Sequence, residues 1–193
     1  TGTLKFTLKS NTDISDQLPG SRLTFSNRLL LKNKTNALNY SFSIGTEKVT
    51  HRITPNYQFF VPIIQGRWTR RTYTGDGNQL QTLSLSEISQ KDVENFNVEV
   101  LVNGDFWSIK KHIYEMLPEE QSCVVRTGFN GGIDVVFGNG GFGSIPPIGS
   151  IIEISYLVSD GALGNIFRRT RDDWDFVGDV LDGSGETINV ADI

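Results

Sequence analysis

Apolar and polar residues alternate with a period of two through much of this chain. Leu4, Phe6 and Leu8 stand opposite Lys5, Thr7 and Lys9, and Leu38, Tyr40, Phe42 and Ile44 alternate with Asn39, Ser41 and Ser43. A period of two places successive side chains on opposite faces of an extended backbone, so each run predicts a half-buried antiparallel strand. Leu18-Pro19-Gly20-Ser21 predicts a turn, because proline presets φ and glycine accepts the positive φ that follows; Leu23 and Phe25 then open another strand. Further strands are predicted over Arg67–Tyr73 and Leu80–Leu85, and over a run in which Phe96, Val98, Val100 and Val102 share one face. That run ends at Asn103-Gly104, two residues that tolerate the positive φ of a type I′ turn, which predicts a tight hairpin with Phe106 and Trp107 on its return strand. Cys123–Thr127 and Ile133–Phe137, joined through Asn130-Gly131-Gly132, predict a second hairpin, and Ile152, Ile154, Tyr156 and Val158 form one face of a later strand.

A helical period shows in two places. Ile109, His112, Ile113, Met116 and Leu117 recur at three- and four-residue spacing before Pro118, which predicts a short helix. Trp174, Val177 and Leu181 line a second candidate, weakened by Gly178. The reading is a mainly β chain of α+β type: antiparallel sheets, one or two short helices, and two packed subdomains.

Composition narrows what such a chain does. With 193 residues, 37% hydrophobic and 21% charged, there is enough apolar surface for a folded core. The longest nearly apolar runs, Phe59–Ile64 and Ile148–Ile154, fall far short of the ~20 residues a spanning helix needs, so no membrane partner is expected. A net charge of −4 and a pI near 5.2 weigh against a phosphate-backbone partner, and no nucleic acid is expected. A single cysteine, Cys123, excludes an internal disulfide framework and a Cys-based zinc site. It reads as a small buried hydrophobe. Because the chain begins at Thr1 without Met and stops at Ile193 after strand-like sequence, it reads as a fragment.

Candidate chemistry is sparse. Gly138-Asn139-Gly140-Gly141-Phe142-Gly143 matches G-x-G-x-x-G, but a dinucleotide loop must open a helix that receives the pyrophosphate. Ser144-Ile145-Pro146-Pro147 follows instead, and a residue before proline is pushed away from helical angles. The same segment reads better as a tight, rigid loop anchored by Phe137, Phe142 and Ile145 and stiffened at its exit by two prolines. His51 and His112 stand in no metal-ligand spacing or triad context. Asp172, Asp173, Asp175, Asp179 and Asp182 depart from the calcium-loop spacing and read as a solvated face. No catalytic, cofactor-binding or metal residue is expected, and so no enzyme activity, cofactor or small-molecule substrate. Arg67, Arg70 and Arg71 interleave with Trp68 and Tyr73, yet on a strand such a cluster splits between two faces. We read Trp68 as packed and the arginines as solvated or subunit-bridging, with Arg67, Trp68, Arg70 and Arg71 as the candidate subunit contacts, since arginine and aromatic residues are enriched at protein interfaces.

The segment from Ile133 to Asn165 resembles a known family. A strand, then Phe137-Gly138-Asn139-Gly140-x-x-Gly143-x-x-Pro146-Pro147-x-Gly149, then a strand with Tyr156, then Gly161-x-x-Gly164-Asn165, is similar to the signature of the baseplate J-like proteins. That family includes the baseplate wedge component of T-even-type contractile phages and its relatives in contractile injection machines. Its pattern carries Asp where Asn139 stands; Asn makes the same turn without the charge. Looser agreement upstream, in Gly66-Arg67-Trp68, Tyr73-x-Gly75-x-Gly77, Leu83-Ser84-Leu85, Asn97-Val98-Glu99-Val100 and Trp107, extends the resemblance over Gly66–Asn165.

The resemblance implies a baseplate J-like module over 66–165; by continuity alone, a β-rich N-terminal subdomain is expected over 1–65 and a C-terminal strand and turn extension, leading to missing downstream regions, over 166–193. The resemblance further implies a structural subunit of the virion, assembled in the host cytoplasm and placed in the tail baseplate. Its partners would be other wedge proteins and copies of itself, in a dimer or ring around the central hub that rearranges when the sheath contracts. The interface loop would comprise Phe137, Gly138, Asn139, Gly140, Gly143, Pro146, Pro147, Gly149, Gly164 and Asn165. A different class stays open: a β-sandwich module that binds carbohydrate, with Trp68, Trp107 or Trp174 as stacking platforms.

Overall fold

A computed structural model describes residues 2–8, 24–34, 41–44, 58–87, 92–161, 174–181, 185, 187–188 and 190–192. Leu38, Tyr40, His51, Gly164, Asn165, Asp172, Asp173 and Asp182 lie outside the described residues, as does the turn at 18–21. Within them the chain is mainly β, and it forms two compact units, residues 1–67 with 162–193 and residues 68–161.

The first unit holds β1 (Gly2–Leu8), β2 (Thr24–Phe25), β3 (Leu29–Asn33), β4 (Ser41–Ser43) and β5 (Gln58–Gln65). After the second unit the chain returns with β13 (Trp174–Phe176), β14 (Val180–Leu181), β15 (Thr187–Ile188) and β16 (Val190–Asp192). A six-stranded sheet runs β13-β3-β4-β5-β1-β16, and a small sheet runs β15-β14-β2. The last strands are thus partners of the first: Trp174 pairs with Asn33, Val180 with Phe25, and Val190 with Leu8. Leu30, Leu31, Val61, Ile63 and Val180 form this unit's core. In β4 the alternation predicts the strand but not its better buried face. Ser41 and Ser43 are buried with their hydroxyls donating to the Gly66 carbonyl at 3.2 and 2.9 Å, while Phe42 is half-buried.

The second unit is one seven-stranded sheet, β6-β12-β8-β9-β10-β11-β7. Its strands are β6 (Arg67–Thr74), β7 (Thr82–Leu85), β8 (Asp92–Val102), β9 (Asp105–Lys110), β10 (Ser122–Thr127), β11 (Ile133–Phe137) and β12 (Ile151–Ser159). All seven contribute to one core, with Val100, Ile133, Val135, Phe137, Ile152, Ile154 and Tyr156 essentially sealed from water and Tyr73 and Leu83 packed against them. A single core fed by every strand requires the sheet to curl upon itself. Its two edges, β6 and β7, accordingly meet at a seam closed by side chains. Arg71 donates to the Ser86 carbonyl and pairs with Glu87 at 3.2 Å, and Gln81 Nε2 donates to the Thr74 carbonyl at 3.0 Å.

Both hairpins form as their turn residues require. Asn103 and Gly104 take φ of 52° and 90° and Val102 pairs with Asp105, the geometry of a type I′ turn. Cys123 pairs with Phe137 and Thr127 with Ile133 across the β10–β11 hairpin.

Neither predicted helix exists. The stretch 109–117 supplies only a single 3-10 turn, Ile113–Glu115, flanked by extended His112 and Met116. Ile109 belongs to β9, where it pairs with Cys123 in the parallel β9–β10 ladder, and of the supposed apolar stripe Met116 alone is buried. An isolated helix this short is marginal, and ladder bonds on both sides of β9 outweigh it. Trp174, Val177 and Leu181 likewise divide between β13, a turn at Gly178 with φ of 99°, and β14.

One face assignment also fails. Tyr156 pairs with Val98 but Leu157 pairs with Glu94, so β8 carries residues 95–97 as extra length against one step of β12. This bulge switches the strand's parity, burying Asn97 and turning Phe96 out to solvent at 84% exposure.

Candidate functional site

The loop that joins β11 to β12 is built almost entirely from backbone contacts. It leaves the core at Phe137, a fully buried ring set edge-on against Trp107 at 5.3 Å. A Cβ on Gly138 would run into the carbonyls of Phe142 and Gly143, so only glycine fits there. Asn139 Oδ1 accepts the N–H groups of Gly141 and Phe142 at 3.1 and 2.8 Å and closes the turn, which needs an acceptor but no charge. Gly140 and Gly143 follow at positive φ.

Two flanking segments clamp this loop. On one side lies residues 117–120: Gly143 N–H donates to the Leu117 carbonyl at 3.1 Å, Ser144 N–H to the Glu120 carbonyl at 2.7 Å, and Ser144 Oγ to the Glu119 carbonyl at 2.6 Å. Glu120 holds that segment in shape, pairing with Lys110 at 2.6 Å and accepting the Leu117 N–H at 3.0 Å. The Lys110 contact, helped by the Leu117 N–H, lowers the Glu120 carboxyl below its ordinary value. On the other side, Gly149 N–H donates to the Gly75 carbonyl and Gly75 N–H to the Ser150 carbonyl, both at 2.8 Å. Leu80 N–H donates to the Gly138 carbonyl at 2.9 Å. A Cβ on Gly75 would strike the Pro147 carbonyl and Ser150 Oγ.

Pro146 is buried and Pro147 exposed, and Ile148, at the apex, is 83% exposed. Ser150 Oγ is buried without a hydrogen-bond partner. The structure therefore brings Phe137, Gly138, Asn139, Gly140, Gly143, Pro146, Pro147 and Gly149 into one elbow. The Gly164 and Asn165 part of the signature lies outside the described residues.

The arginine strand has intramolecular employment. Arg70 pairs with Glu153 at 3.1 Å and donates to Ser155 Oγ at 3.2 Å, while Arg71 closes the sheet seam. Arg67 is exposed and Trp68 half-buried. Alternation on β6 parts Arg70 from Arg71, as the spacing predicts.

Several residues that shape the region carry no sequence motif. Glu87 accepts both Arg71 and the Tyr156 hydroxyl, the latter at 2.8 Å; burial, together with that carboxylate, pushes the Tyr156 phenol upward. Gln81 is buried with both amide atoms engaged, Oε1 accepting the Asp76 N–H. Gly75 and Gly77 were legible as a turn, but nothing in the sequence says that the turn meets the elbow. Cys123 sits in the core, where burial pushes its thiol up to about 12, which leaves it a protonated, unreactive side chain.

Ser144 Oγ, the elbow's sole hydroxyl beyond Ser150, is spent on a backbone carbonyl. Among the described residues no group of three or more His, Cys, Asp or Glu is placed to hold a metal ion, and no helix is long and apolar enough to cross a membrane. Comparison with family models, with curated proteins and with solved structures finds no match for this chain.

Proposed function

We propose that this chain is a structural wedge subunit of a contractile-tail baseplate, a protein that holds neighbours at a fixed angle and runs no reaction. The observation that carries the reading is the elbow. Its peptide path is fixed by main-chain bonds to two separate segments and by glycines that admit no side chain, yet its apex presents Ile148 to solvent. A loop preorganised in this way binds a partner with little ordering cost, as a permanent joint between subunits needs. The resemblance over Ile133–Asn165, carried by its glycines and two prolines, supports the same reading.

Under this reading the partners are other wedge proteins and copies of the chain itself, arranged in a ring around the central hub that rearranges when the sheath contracts. The protein belongs to the virion tail and is assembled in the host cytoplasm. Carbohydrate binding has weaker support. Trp107 is buried against Phe137, and the Trp174 ring is engaged edge-on by Phe42 at 5.2 Å, so both are already packed within the protein.

Purified contractile tails from the source provide the test. Peptide mass spectrometry of intact and of contracted particles is expected to find this polypeptide at a fixed ratio to the sheath protein. Its recovery only as free soluble protein, with tails lacking it, overturns the reading.

A further inference from the structure

One end of the second unit combines exposed apolar side chains with a charge of one sign. Three loops meet there: 75–80, the hairpin tip at Asn103-Gly104, and the elbow apex 147–151. They are tied by the Gly75–Ser150 and Gly149–Gly75 hydrogen bonds and by a reciprocal pair, Asn103 N–H to the Ile151 carbonyl at 2.8 Å and Ile151 N–H to Asn103 Oδ1 at 2.9 Å. Ile148, Ile151 and Phe106 all stand exposed on or beside these loops.

The charges there are acidic. Asp76 lies in the first loop and Asp105 closes the hairpin, both exposed. No Lys or Arg occurs in 72–90, 92–109 or 127–161, the stretches that supply all three loops. Arg70, on the neighbouring strand, is held by Glu153 and Ser155. The imbalance extends to the unit: residues 68–161 contain six Lys and Arg against twelve Asp and Glu.

We propose that this end is a docking surface for a basic segment of a neighbouring subunit, one that sets an apolar side chain against Ile148 and Ile151 and lysine or arginine beside Asp76 and Asp105. Exposed aliphatic side chains supply the burial, and the one-signed rim selects the partner and speeds its approach. The loops are already fixed by the glycine contacts of the elbow, so docking requires no rearrangement on this side. The inference rests on the subunit-contact reading of the elbow and names the chemistry of what it contacts.

The probe is a pair of acetylated peptides that share leucine at alternate positions and carry either lysine or glutamate between them, titrated into the isotope-labelled full chain. The lysine peptide is expected to shift the amides of 75–80, 103–106 and 147–151, with the effect fading as salt is raised. Ile148→Ser is expected to weaken it at least about fivefold through lost apolar burial. Asp76→Asn with Asp105→Asn, which keeps the Asn78 N–H acceptor of the first loop, is expected to remove most of the salt dependence. Phe129→Ser, at the far hairpin, serves as the control and leaves binding unchanged.

Equal binding of both peptides, shifts spread over the whole acidic surface, or no binding overturns the proposal. Self-association of the chain through Ile148 also overturns it, since the occupant is then a second copy. Tails that contain the polypeptide while the peptides fail remove this surface and leave the baseplate reading standing. Peptide binding by a protein absent from tails does the reverse.

Discussion

At the scale of single residues, the elbow separates two reasons for glycine that the sequence writes identically. Gly138 and Gly75 are required because backbone carbonyls occupy the space a Cβ would take, whereas Gly149 and Gly104 have open space and only a positive φ. Gly138→Ala is therefore expected to cost about 2–3 kcal/mol or more in urea unfolding, as overpacking against an unyielding wall does. Gly149→Ala should cost only about 1 kcal/mol, the strain of a side chain in the left-handed region. Ser150→Ala should be neutral or stabilising, because its buried hydroxyl has no partner to lose; a large destabilisation would show that the hydroxyl bonds a buried water. Glu120 gives a pH signature. Its folded carboxyl is lowered by Lys110, so its contribution is present above the ordinary carboxylate value and is lost as pH falls through the lower folded value. Lys110→Met should shrink the drop in melting temperature between neutral pH and about pH 3, measured against the parent protein.

At the scale of elements, the strands of the second unit were legible where a turn of known chemistry bounded them, whereas helical spacing misled. Asn103-Gly104 forces both residues to positive φ, so the hairpin and its register follow from two letters. The 109–117 stripe has helical spacing too, but spacing reports only which residues are apolar, and β9 claims Ile109 for a ladder. The bulge at 95–97 is similarly silent in sequence, since an extra length of strand has no compositional mark. It makes a sharp comparison. Phe96→Thr should change stability by less than about 0.5 kcal/mol, as exposed positions do. Val98→Thr should cost about 1–2 kcal/mol, because the new hydroxyl enters the core without a partner. Both are read from thermal melts of the second unit.

At the scale of the whole molecule, the chain enters one unit, builds another, and returns to finish the first. Residues 174–192 supply strands that pair with β3, β2 and β1. Removing everything after residue 166 should abolish the cooperative unfolding of the first unit, while hydrogen exchange in β8 and β12 stays slow; loss of both would show that the units fold as one. The sequence by itself determined that the protein is mainly β, where most strands of the second unit lie, which turns are tight, and that one glycine–proline loop turns sharply between two strands, because these follow from local φ preferences and a two-residue period. Only the tertiary structure decided that the last strands complete the first sheet, that the seven-stranded sheet curls until Arg71 meets Glu87, and that Gly75 seats the elbow. Those are contacts between residues distant in the chain, and they are fixed by the shared burial of a core, which no local pattern encodes.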